Sequence, residues 1–106
     1  MQLTDKNFKE QVEDFEGIVL VDFFAIWCGP CKMMMPVIEE LTKQYEGKSN
    51  IKIAKIDIDE CGEAAAKYNV VSIPTLIVFK AGKKVKEIVG MKSKEALIKE
   101  IEEASK

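Results

Sequence analysis

Residues 18–32 read IVLVDFFAIWCGPCK, an apolar run that leads directly into two cysteines separated by two residues. The part from Ile18 to Ala25 is rich in β-branched and aromatic side chains, which is typical of a strand buried on both faces. From Cys31 to Tyr45 the apolar residues recur at helical spacing, and Pro36 should kink that helix because it removes a backbone donor. The pattern therefore predicts a strand, a short connection and a helix with both cysteines at its N-terminus.

The spacing of Cys28 and Cys31 suits redox chemistry at such a junction. Two intervening residues let the sulfurs approach disulfide distance across one helical turn. The unpaired N–H groups and the dipole of a helix N-terminus stabilise a thiolate there. Cys28, the outermost of the pair, should be the more exposed and the more acidic.

A metal site is the competing interpretation of the same two cysteines. Zinc and iron–sulfur centres need four ligands, and the chain contains no histidine. Within one chain only Cys61 could join Cys28 and Cys31 as a soft ligand, so we expect no metal site in an isolated chain. A cluster shared between two chains stays open at this point, and Cys61 is otherwise expected to be a bystander thiol.

The remaining pattern predicts an α/β fold in three layers. A helix is expected over Asp5–Asp14 with Thr4 as N-cap, and Ser93 should cap a last helix. The other predicted elements are a strand at Ile51–Ile58 that contains Lys55, a short helix at Glu63–Tyr68, and strands at Thr75–Lys80 and Lys84–Val89 joined by a turn at Ala81-Gly82-Lys83. This order implies a mixed central sheet, parallel in its first half and antiparallel in its second, flanked by helices on both faces.

Composition narrows the functional classes. The 106 residues, 47% hydrophobic, suit one domain spanning residues 1–106. With a net charge of −2 and lysine as its only basic residue, the chain lacks the basic footprint and the arginine forks of a nucleic-acid binder. No apolar run reaches the roughly 18 residues of a membrane span, and no leader pattern is present, so we expect a cytoplasmic protein. A general base must be a carboxylate, a lysine, a cysteine or a tyrosine, since histidine is absent.

Six local motifs together resemble the thioredoxin family, and the resemblance runs from about Thr4 to the C-terminus. They are Val21-Asp22-Phe23, Trp27-Cys28-Gly29-Pro30-Cys31-Lys32, Pro36, Lys55 within Ala54-Lys55-Ile56-Asp57, Ile73-Pro74-Thr75, and Val89-Gly90. The resemblance implies the thioredoxin fold and a redox-active disulfide between Cys28 and Cys31.

The resemblance also implies a surface for client proteins beside the disulfide. It assigns a shallow apolar surface for an extended substrate segment to Trp27, Ile73, Pro74, Val89 and Gly90, with Ile73–Pro74 in cis. By residue type alone, Pro74 would be a trans proline that opens a strand, Ile73 and Val89 would be core residues, and Gly90 would be a turn.

Three departures from the commonest bacterial pattern of the family stand out. Phe24 replaces a second tryptophan and should fill the same space. Ile26 occupies a position that is often polar or charged, which should make the rim of the site more apolar. Only Met1–Thr4 precede the first helix, so the edge strand expected there should be reduced or missing.

The sequence leads to a stepwise mechanism of thiol–disulfide exchange. Cys28 attacks a client disulfide and Cys31 resolves the mixed disulfide. Asp22, the only charge in its apolar strand, is the carboxylate available to take the proton of Cys31, and Lys55 is its modulator. Gly29 and Pro30 between the cysteines resemble the reducing members of the family, so reduction is the expected direction.

The expected partners are disulfide-containing client proteins and a thioredoxin reductase, linked either to a nicotinamide or to ferredoxin. We expect a monomer with no cofactor beyond the Cys28–Cys31 disulfide. Two other functions stay open: a disulfide isomerase or pathway-specific reductase, and a non-catalytic binding module that uses the surface around Trp27 and Pro74.

Overall fold

A five-stranded sheet forms the centre of the computed structural model, which describes residues 1–106. Its strands are β1 (Gln2–Leu3), β2 (Ile18–Phe24), β3 (Ile51–Asp57), β4 (Thr75–Lys80) and β5 (Lys83–Val89). They lie in the order β1-β3-β2-β4-β5. β3 pairs in parallel with β1 and β2, whereas β4 pairs antiparallel with β2 and β5. The predicted mixed sheet is confirmed.

Helices cover both faces of this sheet. α1 (Gly29–Gln44) and α3 (Lys94–Ser105) pack on one face, while α2 (Gly62–Lys67) and a π-helical segment at Lys9–Glu13 pack on the other. The three-layer arrangement is therefore confirmed. None of the helices combines the length and the apolar character that crossing a membrane requires.

The pleat of β2 sends its side chains alternately into the two cores. Val19, Val21 and Phe23 pack with α2 and the N-terminal segment. Ile18 and Leu20 pack with α1 and α3. Because every residue of β2 is buried, the strand reads as a continuous apolar run rather than as an alternating one. The same alternation directs the side chain of Asp22 toward α1.

The N-terminal segment differs from its prediction. Instead of a helix over Asp5–Asp14, a turn precedes the π-helical segment at Lys9–Glu13. Thr4 and Asn7 bond reciprocally: the Thr4 N–H donates to Asn7 Oδ1 at 2.8 Å, and the Asn7 N–H donates to Thr4 Oγ1 at 3.3 Å. This reciprocal pairing is a capping-box arrangement, so Thr4 caps the segment as predicted, and the Phe8 N–H donates to the Thr4 carbonyl at 3.0 Å. The difference lies in the helix type, because the Asp14 N–H donates to the Lys9 carbonyl, five residues earlier, at 2.8 Å. β1 is reduced to two residues but present.

Two boundaries depend on capping and turn chemistry. α1 begins at Gly29, two residues before the predicted start, because Cys28 is its N-cap and Pro30 fits the first turn. The hairpin between β4 and β5 has a two-residue turn, since Ala81 (φ 51°) and Gly82 (φ 81°) both adopt positive φ and Lys83 already belongs to β5. At the last helix, Ser93 Oγ accepts from the Ala96 N–H at 3.1 Å, as expected for its cap.

Replacing Gly82 by alanine should destabilise the protein. Its φ is in the left-handed region, and a methyl group there would collide with the carbonyl oxygen of Glu13. We expect Gly82→Ala to lower the free energy of unfolding by about 2 kcal/mol or more in urea denaturation. Gly62→Ala is the matched control, because it lies in α2 with open space around it. It should change stability by less than about 1 kcal/mol, in the stabilising direction. Equal effects of the two substitutions would contradict the collision.

Candidate active site

Cys28 and Cys31 form a disulfide at the N-terminus of α1, with Cα atoms 5.2 Å apart. The chain leaves β2 at Phe24 and turns at once, and the Cys28 N–H donates to the carbonyl of Ala25 at 3.2 Å. Cys28 Sγ accepts from the Cys31 N–H at 3.1 Å and so caps the helix. A negative charge on Cys28 Sγ would therefore face a backbone donor and the positive end of the helix dipole.

Both cysteines are buried in the disulfide form, which corrects the expectation that Cys28 is exposed. Cys28 is 4% and Cys31 1% exposed. The two sulfurs lie in a small apolar cluster with Phe24 and Ala25, against which Met35 and Ile73 pack among other side chains. Exposure therefore hardly distinguishes the two residues. What distinguishes them is their place at the helix end, with Cys28 as N-cap and Cys31 inside the first turn.

Asp22 is the most unusual polar group of the molecule. It is fully buried, and neither carboxylate oxygen has a hydrogen-bond partner. Burial disfavours the charged form and raises the pKa of Asp22 to about 7, while the positive charge of Lys55 acts in the opposite direction. The carboxyl group can thus both hold and release a proton near neutral pH.

Lys55 lies beside Asp22 but does not pair with it. The two residues are register partners in the parallel pairing of β2 and β3. No ion pair joins them, since the ion pairs of the structure involve other residues. Instead, Lys55 Nζ lies 3.9 Å from the sulfur of Met35 and 5.9 Å from the ring centroid of Phe24. Lys55 therefore influences Asp22 only through its charge.

The five residues expected to form the client surface lie together near the disulfide. Ile73, half-buried, packs against the cluster that contains both cysteines, and its peptide bond to Pro74 is cis. The Gly90 N–H donates to the Pro74 carbonyl at 2.8 Å, which holds Val89 and Gly90 beside the proline. Trp27 and Val89 are 68% and 55% exposed, so reading Val89 as a core residue is wrong.

Asp59 is a site residue that the sequence reasoning missed. The indole N–H of Trp27 donates to Asp59 Oδ2 at 2.6 Å, and the Asp59 N–H donates to the buried Asp57 Oδ1 at 2.9 Å. This chain of bonds fixes the indole beside the disulfide. A signal for it existed, because Trp27 follows β2 and Asp59 follows β3, and parallel neighbouring strands end at the same edge of a sheet.

The departures in the sequence have clear structural counterparts. Phe24 is buried in the cluster around the cysteines, as expected for a residue that fills the space of a larger ring. Ile26 is 67% exposed, and Gly29 and Pro30 are also exposed, so the rim of the site is apolar. Cys61 packs against the core on the face of α2, away from the Cys28–Cys31 cluster. No group of three or more acidic, histidine or cysteine side chains is placed to hold a metal ion.

Comparison with known proteins agrees with this geometry. The family model described as Thioredoxin matches residues 1–103. The thioredoxin of Staphylococcus saprophyticus subsp. saprophyticus is 52% identical over 102 residues, which cover 96% of this chain and 94% of that protein. The thioredoxin of Staphylococcus aureus strain Mu50 is 55% identical over 97 residues, which cover 92% of this chain and 89% of that protein.

Asp22→Asn should stabilise the oxidised protein at neutral pH. Burial raises the pKa of Asp22 from 3.8 to about 7, so the folded protein binds this proton more tightly than the unfolded chain does. The stability that this proton contributes is complete below the unfolded-state pKa. It is lost as the pH rises from about 4 to 7. Asparagine does not ionise, so we expect the variant to be more stable by about 4 kcal/mol at pH 7.5 and close to the parent near pH 4.

Guanidinium denaturation of the oxidised protein at several pH values measures this difference. Asp14→Asn is the control, because Asp14 is an exposed carboxylate that pairs with Lys9 on the surface. It should leave the pH dependence of stability unchanged. If the parent were the more stable protein at pH 7.5, the buried carboxylate would have a stabilising partner.

Proposed function

The chain belongs to the thioredoxin family and is a protein-disulfide oxidoreductase, and we propose that Cys28 is its nucleophile, Cys31 its resolving thiol and Asp22 its proton-transfer group. The observation that supports these roles is the arrangement of three groups at the end of β2. A cysteine caps α1, a second cysteine lies inside its first turn, and a buried carboxyl group without partners faces the same helix.

The first step is attack of the Cys28 thiolate on one sulfur of a client disulfide. A new disulfide forms between Cys28 and that sulfur, and the other client sulfur leaves as a thiolate. The backbone N–H of Cys31 already points at Cys28 Sγ, at 3.1 Å. This bond and the helix dipole lower the free energy needed to form the Cys28 thiolate near neutral pH.

The second step releases the reduced client. The ionised carboxylate of Asp22 takes the proton of the Cys31 thiol, and the resulting thiolate attacks Cys28 Sγ. The Cys28–Cys31 disulfide forms, and the first client sulfur leaves as a thiolate. The client has gained two electrons and the protein has lost two. Burial of Cys31 makes this proton transfer necessary, because water cannot readily take the proton there.

Clients would bind to the surface formed by Trp27, Ile73, Pro74, Val89 and Gly90. The N–H and the carbonyl of Ile73 make no backbone hydrogen bond within the protein. An extended client segment can pair with both groups, as peptides do when they add to a strand edge. The exposed Ile26 favours clients with an apolar residue near the reactive cysteine.

The wider biological setting follows the same reasoning. We infer one domain over residues 1–106 that works as a monomer in the cytoplasm, where a free thiol such as Cys61 stays reduced. The two sulfurs carry both electrons themselves, so the reaction requires no further cofactor and no metal. A thioredoxin reductase, linked to a nicotinamide or to ferredoxin, would return the pair to the dithiol form. The dispersed lysines and the net charge of −2 do not favour nucleic acid as a partner.

The roles of the two cysteines can be tested by trapping. Cys31→Ser should accumulate a mixed disulfide with a small protein that has one exposed disulfide, because Cys28 can still attack but nothing resolves the product. Cys28→Ser should form no such adduct, and Cys61→Ser should turn over like the parent. Mass spectrometry under non-reducing conditions measures the adduct. Trapping by Cys28→Ser instead would reverse the two roles, and retained partner binding without any adduct would favour a binding module.

The role of Asp22 predicts slower turnover in the Asp22→Asn variant. Loss of a positioned proton acceptor typically costs about 100-fold in rate. In the parent, the rate of resolution should rise with pH through about 7, where Asp22 ionises. The variant should lose that rise, and Asp14→Asn should keep it. Stopped-flow measurement of client reduction from pH 5 to 9 gives both profiles. An unchanged rate and profile would remove Asp22 from the mechanism.

A further inference from the structure

A cavity of about 260 Å³ opens between α1 and β3, and Met35 and Lys55 are among the residues that line it. The cavity lies on the face of the sheet toward which Asp22 points, since Lys55 follows Ile53 by two residues and Ile53 belongs to the core under α1. Asp22 itself does not line the cavity and is fully buried, whereas its register partner Lys55 does line it.

Met35 stands between the redox pair and this cavity. It follows Cys31 by four residues on α1, so the two side chains are neighbours on one face of the helix. It packs against the cluster of Cys28, Cys31, Phe24 and Ala25. Its sulfur also contacts the ammonium group of Lys55 at 3.9 Å. One side chain therefore touches both the disulfide environment and the cation nearest to Asp22.

Electrostatic attraction alone would place the Lys55 ammonium against the carboxylate of Asp22, but the ammonium lies elsewhere. Parallel strands lie about 4.8 Å apart, and a lysine side chain is long enough to reach a carboxylate on the neighbouring strand. Asp22 is the register partner of Lys55 and its carboxylate has no partner at all. Yet the ammonium lies against a thioether, which is only a weak acceptor.

We propose that Met35 is a positioning residue that holds the Lys55 ammonium at the cavity and away from the carboxyl group of Asp22. The proposal rests on the role of Asp22 given above and adds a residue that determines when this group can accept a proton. With Met35 in place, the carboxyl group of Asp22 is surrounded by apolar side chains and has no cation in contact with it. Without the Met35 side chain, the ammonium would move inward and stabilise the carboxylate.

Other charged groups near Lys55 are few and lie on three elements. They are Glu39 and Lys43 on α1, the amino group of Met1 next to β1, and Asp57 on β3. The core residues that β4, β5 and α3 add on this face are apolar, represented by Leu76, Ile88 and Leu97. The charged groups Lys86 of β5 and Glu100 of α3 on this face pair with each other at 3.7 Å. Lys43 and the Met1 amino group repel the ammonium, and neither Glu39 nor Asp57 forms an ion pair with it. The contact with Met35 is therefore the one that holds the ammonium in place.

The test is the titration of Asp22 itself in the oxidised full-length chain, followed by carbon-13 NMR of labelled aspartate carboxyl groups. Met35→Ala should lower the pKa of Asp22, which is about 7 in the parent, by about one unit as the ammonium moves closer. Met33→Ala is the control, because Met33 is an exposed methionine on the opposite side of the same helix. It should leave the titration unchanged.

Two further variants separate the proposal from its alternatives. Met35→Leu fills nearly the same space and keeps the protein folded if Met35→Ala does not. If Met35→Leu titrates like the parent, the volume of the Met35 side chain restrains the ammonium; if Met35→Leu lowers the pKa of Asp22, the sulfur does. Either result supports the proposal when Met35→Ala lowers the pKa of Asp22. In the Lys55→Met background, Met35→Ala should no longer lower it.

Three results would overturn the proposal. They are an unchanged pKa of Asp22 in Met35→Ala, an unchanged pKa in Met35→Leu if the alanine variant does not fold, and an undiminished shift after Lys55 is replaced. The last result would mean that water, and not the ammonium, acts on Asp22. These experiments measure the titration of Asp22 and not turnover. Whether Asp22 is the proton acceptor is tested separately by the turnover rates of Asp22→Asn, so the two failures can be told apart.

Discussion

Burial of β2 on both faces is the constraint from which the rest of the molecule follows. The strand pairs with β3 on one side and with β4 on the other, and all seven of its residues are buried. Any ionisable group within it is removed from solvent, which is why the pKa of Asp22 is raised. The end of the same strand leads the chain into the N-terminus of α1, where a helix dipole meets two cysteine sulfurs. One strand thus leads to the helix N-terminus that holds the disulfide and places a buried carboxyl group near it.

The site combines two opposite electrostatic environments within a small volume. Cys28 lies where backbone N–H groups favour negative charge. Asp22 lies where negative charge is disfavoured because neither oxygen finds a donor. A thiolate that is easy to form and a carboxylate that readily takes a proton are what the two steps of thiol–disulfide exchange require. This arrangement lowers the stability of the protein at neutral pH, where the ionised Asp22 has no compensating partner.

Much of the site could be predicted from sequence because its central signals are local. The apolar run, the cysteine spacing and the residues that follow them lie within 15 consecutive positions, residues 18–32. Cap and turn residues such as Ser93 and Gly82 have local causes as well. In the N-terminal segment the predicted cap at Thr4 is confirmed, but the helix type differs because the Asp14 N–H donates to the Lys9 carbonyl five residues earlier, and the periodicity of apolar residues does not report that bond. The exposure expected for Cys28 was wrong because Ile73, far away in sequence, packs against its cluster.

The amino-acid sequence by itself determined the redox pair, the mixed sheet and the family, since each depends on residue types at short spacing. Tertiary structure alone decided which groups meet across strands. Three observations concern residues that are 20 or more positions apart in the sequence. Trp27 bonds to Asp59, Lys55 contacts Met35, and Asp22 forms no ion pair with Lys55. Such contacts depend on strand register and on how side chains fill the space between layers. A single sequence carries the identities of these residues, but the distances between them are set only when the sheet and its helices pack together.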